Sequence, residues 1–181
     1  MTKVCIFLAD GFEEVEALTV VDLLRRANID VTTVSITGKT EVTGRSQIRI
    51  FADTLFENMY FEDADMLVLP GGMPGTTTLE SYLPLCNLLM DHAAKGKYIA
   101  AICAAPSILG KLHLLEGKKA TSYPGFKEVM TGCEYLTSPT VVDGNMITSR
   151  GLGTAIDFAS QIITVLKDKE TADTIKAEIM Y

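Results

Sequence analysis

The stretch "KYIAAICAAPSILG", residues 97–110, decides the fold class of this chain. Its first six residues form an apolar run, and Cys103 follows among small residues, just before a segment with a helical pattern. A continuous rather than alternating apolar run is typical of a strand that is covered on both faces of a sheet. The stretch therefore predicts a central strand, a sharp turn at Cys103 and a helix.

Three other apolar, β-branched runs resemble the first, and helical patterns separate them. They cover residues 3–9, 30–36 and 65–70. This alternation predicts an α/β fold, a three-layer α/β/α sandwich with a mostly parallel central sheet. An Asp-Gly pair within residues 141–150 predicts a β-hairpin. Because 181 residues with 48% hydrophobic content suffice for one core, residues 1–181 are predicted to form a single domain.

The helical patterns of the sequence predict which segments form the helices of the two outer layers. A first helix is predicted over residues 13–28, with Val15, Leu18, Val21 and Leu24 on its apolar face. Further helices are predicted near Pro84, over residues 152–168 and around residues 170–178.

Charge and composition exclude several classes of partner. The formal net charge is −7 and no block of Lys and Arg occurs, so we expect no nucleic acid partner. No apolar stretch approaches the roughly 20 residues that a membrane span needs, so we expect no membrane partner. Acidic residues come too early in "MTKVCIFLADGFEE" for a signal peptide, which predicts a cytoplasmic protein.

The four cysteines are predicted to be separate thiols. Neither C-x-x-C spacing nor a nearby histidine accompanies them, so we expect no metal site and no thioredoxin-type redox pair. Cys5 in a strand and Cys86 in a helix are interpreted as core residues. His92 is predicted to be exposed on a helix, and His113 is interpreted as a structural or surface residue.

Cys103 has two interpretations. Ala101 and Ala105 stand two positions before and after it, as the strand–nucleophile–helix elbow requires of small residues. At such a turn, the amide end of the following helix would lower the pKa of the thiol. The alternative is an inert core cysteine, since free cysteines are among the most buried residues.

Two further loops follow predicted strands, at the edge where α/β sheets bind ligands. In "LPGGMPG", Gly71 and Gly72 have no side chain, so their backbone amides can face a neighbouring loop. The amides of Gly72 and Ala104 would form an oxyanion hole if this loop lies against Cys103. A plain Gly-Pro turn is the alternative. In "DGFEEVE", Glu16 is the candidate for a protonated carboxyl beside the thiol, whereas Glu13 and Glu14 are interpreted as partners of the helix dipole.

Five motifs together resemble the ThiJ/PfpI superfamily, on the branch of the parkinsonism-associated protein and its YajL-type bacterial relatives. The motifs run in order over nearly the whole chain: "LADGFEEVEA", "VVDLLRRA", "LPGGMPG", "AAICAAP" and "TSRGLGT". The resemblance implies a flavodoxin-like sandwich, a homodimer and no cofactor. It also implies a reactive Cys103, a protonated Glu16, and Gly72 and Ala104 as amide donors.

The resemblance also implies a role for Arg150, and the chain departs from the family pattern at three other positions. Arg150 matches a family residue near the site or the dimer interface. Ala104 replaces the histidine of the protease branch, which argues against peptidase activity. Tyr123 stands where many relatives carry histidine, and Arg45 is adjacent to the position of an anion-contacting arginine.

The resemblance implies chemistry on α-oxoaldehydes. The hypothesis is a glyoxalase III-type hydro-lyase, or a deglycase that acts on protein adducts of methylglyoxal and glyoxal, through a Cys103 thiolate and Glu16. The alternative is a redox-responsive stress or chaperone protein in which Cys103 is oxidised to sulfinic acid. A relative with a vestigial site is a third possibility.

Overall fold

A computed structural model of the protein describes residues 2–181. Within this range eleven strands occur: β1 (Lys3–Leu8), β2 (Asp30–Ser35), β3 (Glu41–Thr43), β4 (Arg49–Phe51), β5 (Thr54–Leu55), β6 (Met66–Leu69), β7 (Tyr98–Ile102), β8 (Lys119–Ala120), β9 (Glu134–Tyr135), β10 (Thr140–Asp143) and β11 (Met146–Ser149). Seven of them form the central sheet, in the order β10-β11-β7-β6-β1-β2-β5.

The four predicted apolar runs form the centre of this sheet. They are β1, β2, β6 and β7, which pair in parallel with one another and bury nearly every side chain. The antiparallel pair β10–β11 is the predicted hairpin, and Gly144 takes the positive φ of 59° in its turn. A mostly parallel sheet is therefore confirmed.

Six helices occur in the described part of the chain: α1 (Glu14–Arg26), α2 (Gly75–Ser81), α3 (Leu83–Ala94), α4 (Pro106–Lys111), α5 (Ala155–Leu166) and α6 (Lys169–Glu178). Side chains alternate along each strand, so Ile6 belongs to a core cluster with residues of α1, α5 and α6, while Phe7 belongs to a second cluster with residues of α2, α3 and α4. The sheet has a hydrophobic core on each face, as the predicted three-layer sandwich requires. The fold is the flavodoxin-like α/β/α sandwich.

The start of α1 buries a different face from the one its apolar residues indicated, whereas the predicted core positions Val21 and Leu24 are buried. Val15 and Leu18 are exposed, at 45% and 38%, whereas Glu14 and Glu16 are buried. Ala17, which lies on the side of α1 opposite to Val15, packs in the core, and the acidic positions turn inward with it. Apolar content alone therefore gave the wrong face for the first turn of α1.

Two further features differ from the sequence interpretation. His92 was predicted to be exposed and is buried, because α3 packs it above the start of β6, near the backbone of Asp65. The sequence interpretation also left residues 37–64 without strands. They contain the hairpin β3–β4 and the edge strand β5, which are only two or three residues long and carry little periodicity.

Candidate functional site

The candidate site is a cavity of about 370 Å³ beyond the carboxyl ends of β1, β7 and β11. Ligands bind at this edge in open α/β sheets. Five residues predicted from the sequence line the cavity: Glu16, Arg45, Cys103, Tyr123 and Arg150. The structure thus brings together side chains that lie more than 130 positions apart along the chain.

Cys103 occupies a sharp turn between β7 and α4. Its φ is 65°, in the left-handed region that residues other than glycine rarely adopt. Two backbone hydrogen bonds hold this conformation: the Cys103 amide donates to the Ser149 carbonyl at 3.0 Å, and the Tyr123 amide donates to the Cys103 carbonyl at 2.8 Å. The elbow predicted from the flanking alanines is present, and the half-buried thiol lines the cavity.

Glu16 reaches the thiol from the first turn of α1. Its side chain is 1% exposed, its Oε2 atom accepts a hydrogen bond of 2.9 Å from the Gly71 amide, and its carboxyl also hydrogen-bonds with Cys103. Burial raises the pKa of Glu16 to about 7, although both hydrogen bonds act in the opposite direction. A carboxyl with this pKa can accept or donate a proton near neutral pH.

The pKa of Cys103 was predicted to be lowered, and this prediction is wrong. Burial and the neighbouring Glu16 carboxylate raise the pKa of the thiol to about 12. The amides of Ala104 and Gly72 act in the opposite direction, and α4 is only six residues long, so its dipole is small. The thiol therefore holds its proton at neutral pH, with Glu16 positioned to accept it.

Gly71, predicted to line the site, and Gly72, predicted to be an amide donor, lie behind Cys103 rather than in the cavity lining, and no larger residue fits at either position. A Cβ atom at Gly71 would stand 2.6 Å from both the Cys103 Cβ and the Glu16 Oε2. Gly72 has a φ of 91°, and a Cβ there would stand 2.3 Å from the Glu13 nitrogen. Their small size lets the β6 loop approach Cys103 closely, so that the Gly72 amide reaches the sulfur together with the Ala104 amide.

Comparison with known proteins identifies the family. The sequence model of the DJ-1/PfpI family matches residues 2–165. The chain belongs to the DJ-1/PfpI family. It is 39% identical to the protein dj-1beta of Drosophila melanogaster over 172 residues, which cover 94% of this chain and 92% of the relative. It is 32% identical to a deglycase of Pyrococcus abyssi over 168 residues, which cover 91% of this chain and 99% of that protein.

The fold agrees with this assignment to the DJ-1/PfpI family. The solved structure titled "Toxoplasma gondii DJ-1, oxidized" superposes with a TM-score of 0.96 at 36% identity, covering 100% of this chain and 99% of the other. Two relatives from Arabidopsis thaliana, the DJ-1 homologs A and B, are longer. The chain spans less than half of their length, 46% and 41% respectively.

Sequence reasoning missed the roles of Glu13 and Glu14. Glu13 was interpreted as a partner of the helix dipole, but its Oε2 atom pairs with the Arg45 Nη1 at 3.2 Å on the cavity wall. Glu14 is 4% exposed, and its Oε1 atom accepts a hydrogen bond of 2.8 Å from the Ser46 amide. Both acids thus attach the loop between β3 and β4 to the start of α1. No local pattern could reveal a contact across 32 residues.

The remaining predicted residues form the outer wall of the cavity. Tyr123 is 53% exposed, and Arg150 has a buried Nη1 atom without a hydrogen-bond partner in the described structure. Cys5 and Cys86 are buried, as predicted. Among residues 2–181 no cluster of three or more His, Cys, Asp or Glu side chains could hold a metal ion, and no helix is long and apolar enough to cross a membrane.

Proposed function

We propose that the protein is a cofactor-independent enzyme that acts on α-oxoaldehydes or on their adducts with proteins. The observation that carries the proposal is the hydrogen-bonded pair of the Cys103 thiol and the Glu16 carboxyl, which lies in the lining of an open cavity and has the amides of Gly72 and Ala104 at its sulfur. The deglycase of Pyrococcus abyssi is a relative whose name describes such an activity.

The first step forms a hemithioacetal. The Glu16 carboxylate accepts the thiol proton while the sulfur of Cys103 adds to the aldehyde carbon, and the carbonyl oxygen becomes an oxyanion. The amides of Gly72 and Ala104 stabilise this charge, and the protonated Glu16 then returns its proton to the oxygen. A pKa of about 7 suits Glu16 for both transfers.

The later steps need no external oxidant. Glu16 removes the proton from the former aldehyde carbon and delivers it to the neighbouring carbon, while the hydroxyl proton of the hemithioacetal moves to the ketone oxygen. The first carbon is thereby oxidised to a thioester and the ketone is reduced to an alcohol. Water then hydrolyses the thioester, and the thiol is restored. One aldehyde and one water give one hydroxy acid. With a hemithioacetal or hemiaminal on a protein, Cys103 displaces the protein's thiol or amine instead.

The outer wall supplies weaker assistance. Arg45 and Arg150 provide positive charge near the substrate oxygens, and Tyr123 provides a hydroxyl group. Tyrosine offers a hydroxyl group in place of an imidazole, so this site has one general base fewer than a site with histidine at this position. We therefore expect a slow enzyme.

The experiment is methylglyoxal consumption by the purified protein, with the hydroxy acid measured as product. Cys103→Ala should abolish turnover, and Glu16→Gln should lower kcat/KM by about 10²- to 10⁴-fold, since the acid–base group is lost. Cys133→Ala, which removes a thiol far from the cavity lining, is the control. Unchanged turnover in the Cys103→Ala variant would contradict the proposal.

The alternative function is redox sensing at Cys103. The Glu16 carboxyl and two amides surround the sulfur with hydrogen-bond donors, which would stabilise the oxygens of a sulfinic acid. Mass spectrometry after mild peroxide treatment tests this alternative. Selective gain of two oxygens on Cys103 supports it, whereas equal oxidation of all four cysteines contradicts it.

We also propose that two copies of the chain associate. Val15 and Leu18 lie exposed on α1, close to the cavity edge where Leu152 is 49% exposed. Apolar side chains on one face of a helix are typical of a contact surface. Sedimentation equilibrium should give the mass of a dimer, and Leu18→Asp should shift it toward the monomer. A monomeric wild-type protein would contradict this proposal.

A further inference from the structure

Gly151 lies where the three groups of the site meet. A Cβ atom at this position would stand 3.8 Å from the Cys103 Sγ, 3.8 Å from the Tyr123 ring and 3.9 Å from the Glu16 Oε1. These are ordinary van der Waals distances, so a methyl group would fit against all three. The absent Cβ therefore leaves a space of one methyl group directly beside the reactive atoms.

The backbone does not explain why glycine occupies this position. Gly151 has a φ of 161°, which is extended backbone that any residue adopts. Its amide and carbonyl both hydrogen-bond with the Thr154 hydroxyl, at 3.1 and 2.9 Å, and a side chain would leave these bonds in place. The loop can thus accept an alanine, which distinguishes Gly151 from Gly71 and Gly72.

The space beside Gly151 overlaps the path of the substrate. A carbon that bonds to Sγ must come far closer to the sulfur than van der Waals contact, and Gly151 belongs to the wall of the same cavity. A methyl group 3.8 Å from Sγ would therefore contact the carbon under attack or the group attached to it. The free sulfur would be undisturbed, but its bulkier adducts would be crowded.

We infer that Gly151 is a specificity-determining residue, which sets the largest group that a substrate can carry next to the carbonyl carbon attacked by Cys103. The inference rests on the proposed function in one respect, because it takes an α-oxoaldehyde as the natural substrate of the protein. It concerns only steric access to the sulfur, however, and it can be measured without turnover.

The experiment compares Gly151→Ala with the wild-type protein on glyoxal and methylglyoxal. The variant should retain glyoxal turnover more fully, and the ratio of kcat/KM for methylglyoxal over glyoxal should fall by about 10-fold or more, as one methyl group in a pocket commonly produces. Gly153→Ala is the matched control. It changes a glycine of the same loop that also lines the cavity, but its Cβ would stand more than 4 Å from the Cys103 Sγ and from every other atom, so this ratio should not change.

Chemical labelling of Cys103 gives a readout that does not need activity. Gly151→Ala should slow alkylation by iodoacetamide about 10-fold while leaving oxidation by hydrogen peroxide, a smaller reagent, within about twofold of the wild type. Equal effects on both reagents, or no effect on either, would overturn the inference. Thermal unfolding of the variant verifies that it folds.

The two proposals can fail separately. If the wild-type protein consumes neither aldehyde but the labelling shows size discrimination, the proposed function fails and the role of Gly151 stands. If the wild-type protein consumes both aldehydes and Gly151→Ala leaves their ratio unchanged, the proposed function stands and the role of Gly151 fails.

Discussion

Two buried titratable side chains lie at opposite edges of the sheet and differ in their surroundings. Glu16 lies at the carboxyl edge, and His92, at the end of α3, lies near the amino ends of β6 and β7. Burial shifts both pKa values, raising that of Glu16 to about 7 and lowering that of His92 to about 4. A perturbed pKa is thus common to both regions and does not by itself identify a reactive site.

The difference lies in what each group contacts. The Glu16 carboxyl hydrogen-bonds with a thiol at the wall of a cavity, and backbone amides converge on the same sulfur. His92 has a buried Nε2 atom without a hydrogen-bond partner in the described structure, and its ring hydrogen-bonds with the backbone of Asp65. Reactivity requires groups that exchange a proton with each other, and this arrangement is found around Glu16.

The largest expected effect concerns the proton shared by Glu16 and Cys103. In the wild-type protein, alkylation of Cys103 should increase as pH rises through about 7, since the Glu16 carboxylate then accepts the thiol proton. Glu16→Gln should remove the increase near pH 7, because the base is lost, and leave only the increase at the pH where the buried thiol itself ionises. At pH 7.5 we expect alkylation at least about 10-fold slower.

Peptide mass spectrometry measures this alkylation at each cysteine separately. Cys133, which is also half-buried but has no carboxyl partner in the described structure, provides the internal comparison. A pH profile of Cys103 that is identical in the two proteins would show that Glu16 does not control the thiol. Proton exchange with a thiol would then no longer distinguish Glu16 from His92.

The sequence predicted the central strands and the two residues, Cys103 and Glu16, that the structure brings together. Continuous apolar runs mark strands that are buried on both faces, and small residues around Cys103 mark the elbow. Glu16 was found because it opens the helix that follows β1, at the edge where the strands end. These features depend on neighbours along the chain or on a general rule of the fold.

What the sequence could not provide depends on contacts between distant segments. The raised pKa of Cys103 results from burial and from a carboxyl 87 positions away, and neither is visible in "AICAA". The exposed Val15 and the buried Glu14 likewise follow from how α1 meets the loop between β3 and β4. Composition of a helix does not reveal which residues a distant loop will cover.

A second prediction tests the loop between β3 and β4, where the buried Glu14 side chain occupies the space beside Gly44. A Cβ atom at Gly44 would stand 2.2 Å from the Glu14 carboxyl carbon, so Gly44→Ala should destabilise the wild-type protein by about 1–3 kcal/mol through overpacking. In the Glu14→Ala background the space is vacant, and the same substitution should cost much less. Urea unfolding of the four proteins gives the coupling free energy, and additive effects would contradict this contact.

The smallest expected effect belongs to His92, and its sign is opposite to that of Glu16. The unfolded chain binds a proton at His92 below pH 6.5, while the folded protein resists protonation until about pH 4, so stability falls as pH falls through this window. Glu16 has the opposite effect in the wild-type protein. Its pKa in the folded state, about 7, lies above the ordinary 4.5, so stability falls as pH rises between these two values, and Glu16→Gln should remove this fall.

His92→Gln should therefore reduce the loss of unfolding free energy between pH 6.5 and 4, by an amount of the order of 1 kcal/mol. His113→Gln is the matched control, because the side chain of His113 is 70% exposed and pairs with Glu116 at the surface. If both histidine variants follow the wild-type curve, His92 is protonated as readily in the folded protein as in the unfolded chain. A buried ring without a hydrogen-bond partner at Nε2 would then be the wrong description of this edge of the sheet.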